Sequence, residues 1–153
     1  DISKGIIAVL FISPLIFIEL LPINTELVKI LCGVSAVIGH VYPIYFNFKG
    51  GKGAGTLIGV VGVLFPQSIL FALSSWFLTL ILTGFVGLGT MVAGIVLVIV
   101  TAWLYPGGLF SPFGYFSVIM ALFIIYTHRS NIARMYNSTE NKFEKAMIFK
   151  KLF

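Results

Sequence analysis

Apolar stretches follow one another along this sequence, interrupted only by short polar breaks. Divided at charges, prolines and glycine clusters, they give six candidate spans: Gly5 to Leu21, Glu26 to Phe46, Gly53 to Phe65, Gln67 to Leu82, Leu88 to Tyr105 and Phe113 to Thr127. Of the 153 residues, 59% are apolar and 10% charged, and the mean hydropathy is +1.08. That is more apolar surface than a soluble core of this size can bury. A bilayer supplies the missing apolar solvent. The expected fold is an all-α integral membrane domain over residues 1–153, with about six transmembrane helices. Several spans fall short of the roughly 20 residues that cross hydrocarbon, so neighbours must cover them or they stop partway. The third is the shortest and directly follows a glycine-rich loop. It is expected to begin within the membrane thickness, where irregular backbone is tolerated if protein or a wet cavity lines it.

Asp1 and Lys4 lead into a hydrophobic stretch that no small-residue cleavage site ends, so the first segment reads as a spanning helix rather than a removed signal. Six spans put Lys4, Lys49, Lys52, Arg129, Arg134, Lys142, Lys145, Lys150 and Lys151 on one side and only Lys29 on the other. The positive-inside rule then places the amino end, the loop from Phe48 to Gly53 and the carboxyl tail in the cytoplasm, in a cell inner membrane. The net charge of +5 sits in membrane-flanking loops and the aromatics are mostly Phe within apolar runs, a pattern that argues against nucleic-acid binding. A single cysteine, Cys32, excludes an intrachain disulfide and a multi-cysteine metal site. Gly59 with Gly62, and Gly87, Gly89 with Gly94, let helices approach closely within one bundle. Residues 136–153 mix Lys and Glu with Phe143, Met147, Ile148 and Phe149 and are expected to form a short amphipathic helix on lipid.

Two polar clusters carry the chemistry. The first is Gly39-His40-Val41-Tyr42-Pro43 followed by Phe48-Lys49-Gly50-Gly51-Lys52-Gly53-Ala54-Gly55-Thr56. Glycines let consecutive N–H groups converge on an anion, the following helix adds its positive end, and Lys49 and Lys52 add full charges. A phosphate or acyl phosphate is the expected ligand. A Walker A loop is excluded, because Gly53 follows Lys52 and Phe46 stands where its first glycine would be. A dinucleotide fingerprint is excluded because no βαβ unit surrounds the loop. His40, with Pro43, is expected to shape the loop, since Tyr45 stands where a His-x4-Asp acyltransferase would need its carboxylate. The second cluster is His128, Arg129, Asn131, Arg134 and Glu140, whose spacing of three brings His128, Asn131 and Arg134 toward one helix face. The topology puts both clusters at one end.

Gly39-His40-x-x-Pro43-x4-Phe48-Lys49-Gly50-Gly51-Lys52-Gly53-x-x-Thr56 resembles the second signature of the PlsY-type membrane glycerol-3-phosphate acyltransferases. His128-Arg129-x-Asn131-Ile132-x-Arg134 with Glu140 resembles the third, and Asp1-Ile2-Ser3-Lys4-Gly5 the opening of that family's second helix. The resemblance implies transfer of an acyl chain from acyl phosphate to the 1-hydroxyl of glycerol 3-phosphate, without cofactor or metal. By that likeness Lys52, Asn131, Glu140 and His128 are expected at the reacting groups. Lys49, Gly50, Gly51, Lys52, Gly53, Thr56, Arg129 and Arg134 are expected at phosphate. It also implies a further amino-terminal segment, one helix with a Ser and an Arg, as partner to the site. The basic loop alone leaves two other readings open, a small anion transporter and a non-catalytic membrane relative of the enzyme.

Overall fold

The computed structural model describes residues 1–17, 25–143 and 147. Among these the fold is all-helical: α1 (Ile2–Ile7) runs through a π-helical turn (Ala8–Ile12) into α2 (Ser13–Phe17), followed by α3 (Thr25–Val41), α4 (Ala54–Leu64), α5 (Pro66–Thr83), α6 (Val86–Leu104), α7 (Pro112–Thr127) and the short α8 (Arg129–Tyr136). Among the described residues each of the six expected spans contains a helix, the first followed as far as Phe17 and the second ending its α-helix at Val41, and local chemistry sets the ends. Pro66 and Pro112 open α5 and α7, where a missing N–H is harmless. Ser111 caps α7 by accepting from the Gly114 N–H at 2.9 Å. Gly84, at φ +75°, closes α5 in the left-handed conformation.

Three helices are long and apolar enough to cross a membrane: Thr25–Phe46 with its terminal turn, Pro66–Thr83 and Val86–Leu104. Pro112–Thr127 with Arg129–Tyr136, bent by 50°, makes a fourth. At 18 and 19 residues, α5 and α6 are about 28 Å long, close to the hydrocarbon thickness. Outward faces such as Leu70, Phe77 and Leu78 of α5 or Ile95, Ile99 and Trp103 of α6 are exposed and apolar, as lipid requires. Hydroxyls inside the spans return to their own helices: Ser68 donates to the Phe65 carbonyl, Thr79 to Ser75, Thr101 to Leu97 and Ser117 to Gly114. The Thr56 hydroxyl in α4 is the exception, buried with no hydrogen-bond partner among the described residues.

The short α4 sits at the centre, packed on α1, α3 and α5. Its backbone approaches α1 so closely that a Cβ on Gly59 would strike the Ile2 carbonyl, and one on Gly5 the Thr56 carbonyl. Val60, fully buried, fills the hollow that Gly33 leaves in α3. Covered on three sides, α4 is stable at 11 residues.

Basic residues segregate along the bundle axis. Asp1 pairs with Lys4 and His40, Lys52 meets Asn131, and residues 142–143 reach the α5–α6 turn, all at one end. Glu26, near Lys29, accepts from the Tyr105 hydroxyl at the other end. Lys145, Lys150 and Lys151 lie outside the described residues, as does half of the expected amphipathic tail. The described residues 137–143 do not form that helix: α8 stops at Tyr136 and the chain folds back over the bundle. Hydrogen bonds and a cation–π contact hold this segment on the bundle.

The α1–α4 contact predicts that Gly59→Val forces the two helices apart. The detergent-solubilised protein should lose about 1–3 kcal/mol of stability, read as a lowered melting temperature. Gly62→Ala, whose Cβ meets only Ile69 at 3.9 Å, should leave that temperature unchanged.

Candidate active site

The site is built where α4, α7 and α8 meet. Lys52 lies two residues before α4, and its backbone carbonyl accepts from the Thr127 hydroxyl at 3.0 Å, which ties the loop to the last turn of α7. From that anchor the Lys52 ammonium donates to Asn131 Oδ1 at 2.5 Å. Asn131 Nδ2 donates to Glu140 Oε1 at 2.7 Å, and Arg134 Nε to Glu140 Oε2 at 2.5 Å. Asn131 is only 5% exposed, so each of its polar atoms needs a protein partner and has one. The 50° bend at His128 turns α8 away from the α7 axis and lets Asn131 and Arg134 share the face that meets Glu140. Gly87 makes room for Asn131, because a Cβ there would strike its side-chain amide.

His128, also buried, places Nδ1 2.8 Å from the Ile124 carbonyl. A carbonyl only accepts, so in the neutral ring Nδ1 carries the hydrogen and Nε2 is left as a base. The charges of Lys52 and Glu140 both act on this ring.

The glycine loop works differently from the anion cradle expected of it. The Gly50 and Gly51 N–H groups are spent on the end of α3, donating to the Val41 and His40 carbonyls at 3.1 and 3.2 Å. Neither position has room for a side chain, since a Cβ on Gly50 would meet the His40 carbonyl and Pro43, and one on Gly51 the His40 ring. Pro43 accepts from the Phe46 and Phe48 N–H groups at 3.1 Å each, so His40 and Pro43 together hold the loop's shape. The remaining backbone donors lie further on. Gly53, at φ +85°, starts α4, no side chain caps it, and the first helical bond is Leu57 N–H to the Gly53 carbonyl. The amides of Ala54, Gly55 and Thr56 form the positive end of α4, two residues from Lys52.

Other expected residues are also placed differently. Folding Gly50 and Gly51 back onto α3 turns the chain between the two lysines, so Lys49 does not join Lys52. It lines a separate cavity of about 450 Å³ with Lys4, His40, Pro43, Gly50 and Gly51. The Arg129 guanidinium lies 4.4 Å over the Tyr126 ring and donates to the Tyr126 carbonyl, away from the Asn131 network. Thr56 is fully buried, and its hydroxyl has no hydrogen-bond partner among the described residues. Thr127 and Gly87 were not singled out as site residues by motif reading. A hydroxyl directly before His128 and a glycine opening α6 were their only signals.

An apolar cavity of about 340 Å³ adjoins the polar network. Ala54, Ile124 and Val86 line it within a few residues of Lys52, His128 and Gly87, and Ile58, Val61 and Leu97 line it deeper in the bundle.

The sequence model of the glycerol-3-phosphate acyltransferase family matches residues 1–138. The chain is 39% identical over 111 residues to a glycerol-3-phosphate acyltransferase of Pseudomonas paraeruginosa, covering 72% of this chain and 56% of that protein. It is 33% identical over 147 residues to that of Halalkalibacterium halodurans, covering 93% and 67%. The chain thus spans little more than half the length of the first relative and two thirds of the second. Crystal structures of PlsY, an integral membrane glycerol 3-phosphate acyltransferase, superpose with TM-scores of 0.77 for a lysophosphatidic acid form and 0.78 for a glycerol 3-phosphate form. Both are 30% identical to this chain; the first alignment covers 93% of this chain and 68% of PlsY, the second 94% and 67%. With its apolar helices and this likeness, the chain is a multi-pass membrane protein.

The Arg134 hydrogen bond holds the Glu140 carboxyl below its usual value of 4.5, with Asn131 adding to the effect against partial desolvation. A group with a lowered folded pKa stabilises the fold above its unfolded pKa and loses that contribution as pH falls through the folded value. The contacts of Glu140 should therefore be intact at neutral pH and break only under acid below pH 4.5. The carboxyl carbon shift of Glu140 should titrate with a midpoint below that of a free glutamate.

Proposed function

This chain belongs to the glycerol-3-phosphate acyltransferase family, and from that premise we propose that it transfers an acyl chain from acyl phosphate to the 1-hydroxyl of glycerol 3-phosphate, giving lysophosphatidic acid and phosphate for phospholipid synthesis. The observation that carries this reading is the junction of the Lys52–Asn131–Glu140–Arg134 network with an apolar cavity. A donor with a phosphate head and a long acyl tail needs such a junction. The tail fills the cavity between α4, α5 and α6, and the head meets Lys52 and the open amide end of α4.

The chemistry asks for position more than activation. Acyl phosphate has a good leaving group, so a hydroxyl held against its carbonyl carbon reacts without an acylated enzyme. The 1-hydroxyl oxygen forms the new ester bond to the carbonyl carbon, the bond from that carbon to the phosphate oxygen breaks, and the hydroxyl proton passes to a base. His128 Nε2 is suited to take it, because Nδ1 is fixed on Ile124. Lys52 and the α4 amides neutralise charge growing on the leaving phosphate. Two anionic substrates need two basic surfaces. The loop has Lys52 with Asn131 in one, and Lys49 with Lys4 and His40 lining the other. Arg134 acts through Glu140. Residues 1–153 act as one membrane domain in the cell inner membrane, and the basic end with its site faces the cytoplasm, where the positive-inside rule puts it.

Lys52→Ala should lower acyl transfer by about 100-fold or more while the protein still inserts, measured as lysophosphatidic acid formed by the purified protein in vesicles. Unchanged turnover would remove the phosphate-holding role, and a trapped acylated side chain would overturn direct transfer. Ala93, which lines the apolar cavity, should when changed to Phe shift the preferred donor toward shorter acyl phosphates. An unaltered chain-length profile would place the tail elsewhere.

A further inference from the structure

Residues 138–143 do more than carry Glu140. Ser138, at φ +54°, turns the chain off α8, and Thr139 N–H donates to the Arg134 carbonyl at 2.8 Å. The segment then crosses to the α5–α6 turn. There Phe143 N–H donates to the Gly84 carbonyl at 2.8 Å, and the Lys142 ammonium lies 5.4 Å over the Phe85 ring. Lys142 and Met147 fill the space above Gly84, where an added Cβ would come within 2.8 Å of the Met147 sulfur and 3.4 Å of Lys142 Cβ. Gly84 is buried, its φ is positive, and its carbonyl is free to accept because α5 ends there. One glycine therefore serves as helix terminus and as landing point.

What is held there is the direction of one amide. The Asn131 side chain is asymmetric: its oxygen accepts and its nitrogen donates. Lys52 only donates and ionised Glu140 only accepts, so with both in place the amide has one satisfied orientation, oxygen toward Lys52. Without Glu140 the buried NH2 group loses its acceptor, and Lys52 alone orients Asn131. Glu140 depends in turn on its two anchors, Arg134 and the α5–α6 turn.

We infer that residues 138–143 form a positioning strap: docked on the α5–α6 turn, they hold Glu140 where it sets the Asn131 amide beside Lys52, so that Gly84 and Phe85, which make no hydrogen bond to Lys52 or Asn131, govern binding of the phosphate head of the acyl donor. The kinetic consequence rests on the acyl-transfer reading above, whereas the docking of the strap does not.

The test compares Gly84→Ala, Lys142→Ala, Glu140→Ala and the Gly84→Ala/Glu140→Ala double variant with the unaltered protein. Lys142 is exposed, so its truncation keeps the fold even if Gly84→Ala weakens the end of α5. Amide hydrogen exchange at Phe143, read by mass spectrometry without substrate, should be slow in the unaltered protein and faster by about tenfold in Gly84→Ala and Lys142→Ala. The apparent KM for acyl phosphate should rise about tenfold in Gly84→Ala and Glu140→Ala, the loss expected when a hydrogen bond to a charged group fails. The KM for glycerol 3-phosphate and kcat should stay within about twofold. The double variant should be no worse than Glu140→Ala alone, because both changes remove the same restraint. Fast Phe143 exchange in the unaltered protein, additive effects in the double variant, or a fall in kcat in place of the KM change would each overturn the strap. A protected Phe143 in a protein that forms no lysophosphatidic acid would instead leave the strap standing and remove the acyl-transfer reading.

Discussion

A lysine ammonium at the edge of a hydrocarbon phase must be met by polar atoms, and Asn131 meets Lys52 across 79 residues of sequence. Between Lys52 and Arg129 the chain has no Asp, Glu, Lys or Arg, so α4 to α7 carry no formal charge. The charge at the end of that stretch sets a series of demands. Lys52 requires an acceptor, the amide that supplies it requires an acceptor for its own NH2, and the carboxylate that answers requires a counter-charge, which Arg134 provides. From buried Asn131 outward the exposure rises, and at Arg134, on the exposed side, water can finish the job. Taking one partner away leaves the next unpaired in a poorly solvated place.

That polar series is only as well placed as the helices beneath it. α4 stands at the centre because glycines at 5, 33 and 59 let three backbones come together where side chains would hold them apart. Thr127, bonded to the Lys52 carbonyl, fixes α4 to α7 at the point where the site begins. Close packing and the geometry of the polar network therefore draw on the same few small residues, and a change made for one reads out in the other.

Helix number and type were legible because each boundary carries its own chemistry: proline opening α5 and α7, glycine closing α5, a serine cap on α7. The gathering of His128, Asn131, Arg134 and Glu140 with Lys52 could be anticipated because charge segregation puts both clusters at one end. The glycine loop shows where such reading stops. A run of glycines next to lysines says that side chains are excluded but not by what, and here the excluding groups are the His40 ring and the last carbonyls of α3, which also consume the Gly50 and Gly51 amides. Lys49 and Lys52, three residues apart, diverge because that same fold-back turns the chain between them. Arg129 found a nearer partner in Tyr126, three residues behind it on the adjoining helix. The tail has the composition of a surface helix, yet at residues 137–143 a buried carboxylate and a free carbonyl at Gly84 outbid helix formation.

The turn at Phe65 and Pro66 limits the molecule in another way. α4 ends there after 11 residues, about 16 Å, and α5 starts back immediately. Val61 and Ile69, on either side of this reversal, both line the apolar cavity. Because only the tight turn separates them in sequence, two helices running in opposite directions supply one wall of the same cavity. A shift of the turn therefore moves both sides of that wall together, whereas a change at Val61 or at Ile69 alone alters it from one side.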